Sequence, residues 1–285
     1  MREIRLYDSL SGELVAVSPG DAIRVEVRTS PVVTAGTVDV ASTRPFVLFS
    51  FLERYLQREG FPTKFLFNSP AGGDSFYELP DGECEGSAGE AGDCEGEEEI
   101  GLLPVPRSDV ERWVNVCFGA DREGREWPPV DPWERIPLAR ALEGFGHPAV
   151  ALYLLGSHYS QPLGDAHAGL VNGAKHARRI REVIATLKPG GASPRDMRRH
   201  LDEFRAALAD DLDTPSALVC MFEWVLEAER RGEGVGDRDL GEMLAPFEMD
   251  DLLDRQWGCD EIVVPSRHVV AKQLADPPGA PFALE

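Results

Sequence analysis

Alternation of apolar and polar residues opens the chain. Leu14–Val17 is apolar, Ser18-Pro19-Gly20-Asp21 is a turn, and Ile23, Val25 and Val27 then alternate with polar neighbours. That period of two predicts two short strands, the second with one face toward a core. The period lengthens after a loop. Phe46, Phe49, Leu52 and Leu56 share one helical stripe, widened by Val47, Leu48, Phe51 and Tyr55. So apolar a surface predicts a helix buried against a sheet and other helices. Pro45 suits its first turn, where a missing N–H costs nothing, and Gly60 suits its end. Thr63–Phe67 reads as the next strand, and strand, helix and strand at this spacing predict a βαβ unit with parallel strands.

The segment Ser69–Pro106 is rich in Gly and Glu and poor in large apolar residues, which predicts mainly a flexible, solvated loop. Asp109–Phe118 regains folded character as a short helix and a strand. Trp127–Pro137 holds four prolines and predicts a connector. Beyond Leu138 the period is helical. Pro148–Leu155 forms one helix, and a stripe from Leu170 to Leu187 ends at Pro189-Gly190-Gly191. Another runs Met197, Leu201, Phe204 and Leu208. Thr214-Pro215 is expected as N-cap and first-turn pair of the next helix, with short helices near Asp239–Ala245 and Asp250–Trp257. The expected fold class is α/β plus α: a parallel-sheet domain over 1–137 with an acidic loop at 69–106, a helical bundle over 138–274, and a disordered tail over 275–285.

Composition adds little until charge is located. The 285 residues carry a formal charge of −21, yet Ser69–Pro106 holds eleven acidic residues and neither Lys nor Arg, leaving −10 for the remainder. The acidity still disfavours non-specific attraction to nucleic-acid phosphates. No apolar run approaches the ~20 residues of a membrane span and residues 1–20 lack a signal-peptide core, so a cytoplasmic protein with no membrane contact is expected. Five widely spaced cysteines form no CxxC pair, so reduced thiols are expected.

Several stretches then point to one family. LYDSLSGELVAVSPGDAIRVEV, TRPFVLFSFLERYLQREGFPTKFLFN, RIPLARALEGFGHPAVALYLLGSHYSQPL and FRAALADDLDTPSALVCMFEWV follow one another in the chain. In that order they resemble the cysteinyl-tRNA synthetases, and SHYSQPL and DDLDTPSAL are the more specific. The resemblance implies a class I aminoacyl-tRNA synthetase relative with a reduced Rossmann-like (HUP-type) sheet domain, followed by a helical bundle.

Against that pattern, the zinc-ligating Cys position falls on Ser30, a hydroxyl far weaker than a thiolate as a zinc ligand. The HIGH-type motif, whose His and Gly receive ATP phosphates, becomes Asp39-Val40-Ala41-Ser42. There a carboxylate meets the phosphate position, and Ala replaces the close backbone approach of Gly. The lysine loop that neutralises pyrophosphate charge becomes Glu126-Trp127-Pro128-Pro129-Val130, flanked by Arg125 and Arg135. The expectation is that tRNA cysteinylation is lost, with no catalytic residue, no metal and no cofactor. Ser30, Asp39, Ser42 and Arg44 remain ligand-binding candidates at the ancestral pocket.

His147, His158, His167 and His176 are spaced too widely to share a helix face as metal ligands. His158 reads as a packed residue rather than a base with a nucleophile. Arg178, Arg179 and Arg181 are candidates for RNA contact, set against ordinary pairing with helix carboxylates. The leading expectation is a non-catalytic, synthetase-like protein that binds a protein partner or small ligand, with tRNA possible but disfavoured. The alternative is a repurposed aminoacyl transferase or ligase using charged tRNA, a carrier protein or a small amine.

Overall fold

In a computed structural model, residues 3–18, 21–27, 33–34, 37–61, 64–68, 74–77, 112–127, 135–232 and 234–254 are described. The chain opens with a hairpin of β1 (Arg5–Asp8) and β2 (Glu13–Ala16), paired antiparallel. Its turn is tied by the Asp8 carboxylate, which accepts from the Leu10 amide at 2.8 Å. Next, β3 (Ala22–Val27) is the central strand of a small sheet and buries Ile23, Val25 and Val27. A two-residue ribbon follows, β4 (Val33–Thr34) against β5 (Thr37–Val38), and then helix α1 (Arg44–Arg58). Strand β6 (Lys64–Asn68) returns parallel to β3, completing the expected βαβ unit. On the other side of β3, β8 (Trp113–Phe118) is also parallel.

One expectation is corrected at this sheet. Ser69–Pro106 is not loop throughout: Asp74–Tyr77 forms strand β7, antiparallel to β6, giving the order β7-β6-β3-β8. Asp-Ser-Phe-Tyr carries enough β propensity to pair once an open sheet edge is offered, a tertiary effect hidden by the surrounding Gly and Glu. The rest of that acidic segment lies outside the described residues, as does the tail over 275–285.

Seven helices are present among the described residues. After α1 come α2 (Leu138–Phe145), α3 (His147–Leu154), α4 (Ala166–Ile184), α5 (Arg198–Ala209), α6 (Thr214–Arg231) and α7 (Arg238–Leu244). A short 3-10 turn at Asp250–Leu253 stands where a last helix was expected. The start of α6 also differs from expectation. Asp213, not Thr214, is the N-cap, its carboxylate accepting from the Ser216 amide at 3.1 Å, while the Thr214 hydroxyl reaches the Leu155 carbonyl at 2.7 Å.

One contiguous core joins β3 and β8 to α1 through Leu48, Phe51, Leu52 and Leu56, and continues into α4, α5, α6 and α7. Each such leucine, fully removed from water, contributes about 1.5–3 kcal/mol. A smaller cluster of Val40, Ile136, Phe145, Leu154 and Leu170 ties α2, α3 and α4 to the entrance of α1. None of the described helices is long and apolar enough to cross a membrane.

Candidate functional site

The entrance to α1 is built around Asp39. Leaving β5, the chain makes an antiparallel bridge with Pro137, and the Val40 amide donates to the Ile136 carbonyl at 2.8 Å. That bridge buries the Asp39 side chain. One carboxylate oxygen, Oδ1, accepts from the Ala41 and Ser42 amides at 3.0 and 3.2 Å. The other, Oδ2, accepts from the Ile136 amide at 3.0 Å. The Ser42 hydroxyl turns back to the Asp39 carbonyl at 2.9 Å. The first amides of a helix are unpaired donors with a partial positive charge that favours an anion. Here the chain supplies that anion itself.

Arg44, one turn further on, is fully buried. Its guanidinium donates to four carbonyls: Leu154 at 2.9 Å, Gln161 at 2.5 Å, Ser157 at 2.6 Å and His158 at 2.9 Å. The Trp127 ring lies 4.9 Å from its central carbon, within cation–π range. Burial lowers its pKa to about 10, so it stays charged at neutral pH. The residue expected to touch a ligand is thus a clamp that holds the Ser157–Gln161 loop against α1. Ser30 lies outside the described residues, and a serine hydroxyl is a far weaker zinc ligand than a thiolate.

The clamped loop feeds a second cluster that the sequence reading missed. Asp211, buried between α5 and α6, accepts at Oδ1 from the Tyr7 amide at 2.7 Å and the Tyr159 hydroxyl at 2.5 Å. Arg122, in the loop after β8, reaches Oδ2 at 2.7 Å and stacks over the Tyr7 ring at 4.9 Å. Burial, and then the neighbouring Asp211 charge, push the Tyr159 phenol well above its ordinary pKa. Asp211 and Leu212 both take left-handed backbone angles, with φ of 59° and 52°. Such a conformation costs about 1–3 kcal/mol at a non-glycine residue and persists because the surroundings fix it.

His158 lies beside this hub. Its Nε2 donates to the Asp211 carbonyl at 3.0 Å, which leaves Nδ1 to accept from the Ser160 hydroxyl at 2.8 Å and the Ser160 amide at 3.3 Å. Tyr7, Cys117, Arg122, Tyr159 and Ser160 line a cavity of about 230 Å³ near the carboxyl end of β8. Ligands of open parallel sheets bind outside the carboxyl ends of the strands. A hydroxyl hydrogen-bonded to an imidazole has the geometry of a nucleophile–base pair, while the arginine and tyrosine beside it are already engaged by Asp211. The i, i+2 spacing of His158 and Ser160 was visible in SHYSQPL. Asp211 and Tyr7 lay within the quoted family-like stretches, but nothing along the chain joined them to each other or to Arg122.

The basic candidates separate. Arg178 pairs with Glu182 at 3.3 Å and Arg179 with Glu229 at 2.6 Å, both half-exposed. Arg181 is buried and shares no surface with them. Arg125 is paired with Asp121 at 2.7 Å.

No family model matches the chain. Among curated proteins it is 30% identical over 106 residues to a cysteine–tRNA ligase of Cupriavidus pinatubonensis, a stretch covering 36% of this chain and 22% of that protein. It is 34% identical over 93 residues to the cysteine–tRNA ligase of Alkalilimnicola ehrlichii, covering 33% and 20% of the two chains. For the cysteine–tRNA ligase of Parvibaculum lavamentivorans the figures are 33% over 109 residues, with 36% and 23% covered. The match spans about a fifth of the length of these curated relatives. The chain is therefore related to the cysteinyl-tRNA synthetases and is class I synthetase-like.

Proposed function

We propose that this cysteinyl-tRNA synthetase-like chain acts by binding a protein partner or a small ligand and does not cysteinylate tRNA. The observation that carries this reading is the Asp39 carboxylate, which takes the Ala41, Ser42 and Ile136 amides at the entrance to α1. In the related enzymes that entrance receives ATP phosphates. A phosphate arriving here meets a fixed negative charge and amides already satisfied. The stretch Glu126-Trp127-Pro128-Pro129-Val130, which holds no lysine where the resemblance implies the lysine loop, supports the same reading, since transition-state charge on pyrophosphate lacks its usual partner there.

The sheet is read as a reduced Rossmann-like, HUP-type layer over 1–137, and the helices over 138–274 as the accompanying bundle. The test is cysteine-dependent exchange of pyrophosphate into ATP by the full chain. Exchange at background is expected, and exchange above it would overturn the reading.

The Ser160–His158 pair favours a second reading, an aminoacyl transferase. Ser160 Oγ would attack the ester carbon of an aminoacyl-tRNA and pass its proton to His158. The ester C–O bond breaks as that proton goes to the departing ribose hydroxyl. The acyl-serine is then open to an acceptor amine. Cysteine release from charged tRNA that disappears in Ser160→Ala would establish it. Release equal in both proteins would exclude it.

A further inference from the structure

Away from both clusters, α5 and α6 pack side by side and bring together three side chains with no assigned role. His200 and Glu203 stand one turn apart on α5, and Glu223 faces them from α6. One candidate donor atom from each lies within 4.8 Å of the other two. The His200 ring is 5% exposed, yet neither of its nitrogens has a hydrogen-bond partner. Its Nδ1 points to Glu223 Oε2 at 3.7 Å, beyond hydrogen-bond reach but inside the span of two ligands sharing one ion.

A buried, unpartnered imidazole is a costly feature. Leaving such a polar group unsatisfied opposes folding, and native proteins keep few of them. The two carboxylates are exposed and lie together, and among the described residues neither pairs with a lysine or arginine. Of the arginines nearby, Arg230 and Arg231 both bind Glu227, while Arg199 lines the same pocket as His200 and Glu223. A shallow pocket of about 330 Å³, lined in part by His200, Glu223 and Arg230, opens the group to solvent.

We propose that His200, Glu203 and Glu223 form a binding site for a divalent transition-metal cation of the zinc class. A cation there satisfies the imidazole nitrogen and neutralises the two adjacent carboxylates in one step. The donor set decides the class of ion. One imidazole and two carboxylates suit zinc and its first-row neighbours, whereas calcium and magnesium favour all-oxygen sites. Three protein ligands leave a position open on the pocket side for water or a ligand. Pairs at i, i+3 on facing helices are a standard way to hold such an ion within packed helices.

The test uses the full chain, first stripped with chelator and then titrated with Zn²⁺ by calorimetry and with Co²⁺ by visible absorption. The wild-type chain is expected to take up one tight equivalent, show the d–d bands of a low-coordinate cobalt site, and melt at higher temperature with metal present. In Glu203→Gln/Glu223→Gln, which alters only exposed carboxylates, the tight equivalent and the melting shift are expected to vanish while the metal-free melting temperature is kept. His200→Gln is expected to lose the cobalt bands. Undiminished binding in the double variant would place the ion elsewhere in this acidic chain and overturn the proposal. Absence of a tight equivalent in the wild type would overturn it equally.

Discussion

Replacing Arg44 with alanine removes a guanidinium that joins the α1 entrance to the Ser157–Gln161 loop. Four carbonyls now bonded at 2.5–2.9 Å would lose their donor at a buried position. Hydrogen bonds to a charged partner each contribute about 1.5–3 kcal/mol, so the gross loss is about 6–12 kcal/mol. Against it stands the desolvation of the guanidinium, several kcal/mol that the wild type bears and the variant does not. The net expectation is a loss of about 3–5 kcal/mol, the large end of single-site effects and the class to which a broken buried hydrogen-bond network belongs. That is a large part of the ~5–15 kcal/mol that holds a typical domain folded. Urea unfolding should show a lower midpoint at an unchanged slope, and the melting temperature should fall by about 10–15 °C. Arg44→Lys should recover only part of this, because an ammonium cannot span four carbonyls in a planar fork. A loss below about 1 kcal/mol for the alanine variant would refute the clamp, since it would mean that those carbonyls find water at no cost.

Other outcomes follow from single contacts. In Gly173→Ala the added methyl would sit 2.4 Å from the Ala149 carbonyl oxygen, where α3 and α4 approach. Overpacking of about 1–3 kcal/mol should outweigh a helix-propensity gain of about 1 kcal/mol, and denaturant melts will show the sign. His176 stacks on Phe222 at 4.2 Å, and its pKa is lowered by burial, then by Arg179 and Lys175. The unfolded chain therefore binds the proton more readily, so stability should decline as pH falls through the ordinary histidine value of 6.5. His176→Gln should flatten that slope, and an unchanged slope would reject the assignment. Tyr159 behaves oppositely: its raised pKa keeps the folded form protonated, so stability should fall as pH rises past the ordinary 10.0. Asp211→Asn, which removes the charge facing it, should weaken that alkaline loss, as read in ultraviolet titration of the phenols.

Local pattern carried much of the fold. The stripe of α1, the alternation of β3 and the return strand β6 were all legible because each buries one face with its own period. β7 was not, since its pairing depends on an edge that forms elsewhere. The candidate site divided in the same way. Asp39 and Ser42 were singled out as ligand-binding candidates through the family resemblance, and their contacts with the Ala41 and Ser42 amides and the Asp39 carbonyl had not been read from the chain. Arg44 was found but misassigned, because nothing in its surroundings along the chain announces four carbonyls from the far side of the sequence. Asp211 was missed because Tyr7, Tyr159 and Arg122 reach it from distant parts of the chain, and His200 because it meets Glu223 only when α5 and α6 pack. Long-range polar convergence has no period to read.

The central claim is that the α1 entrance is closed by its own anion. Calorimetric titration of the full chain with ATP and magnesium tests it most directly. The account predicts no saturable binding up to about 1 mM, an affinity below about 4 kcal/mol. Saturable ATP binding at micromolar concentration, released by adenylate analogues, would contradict it.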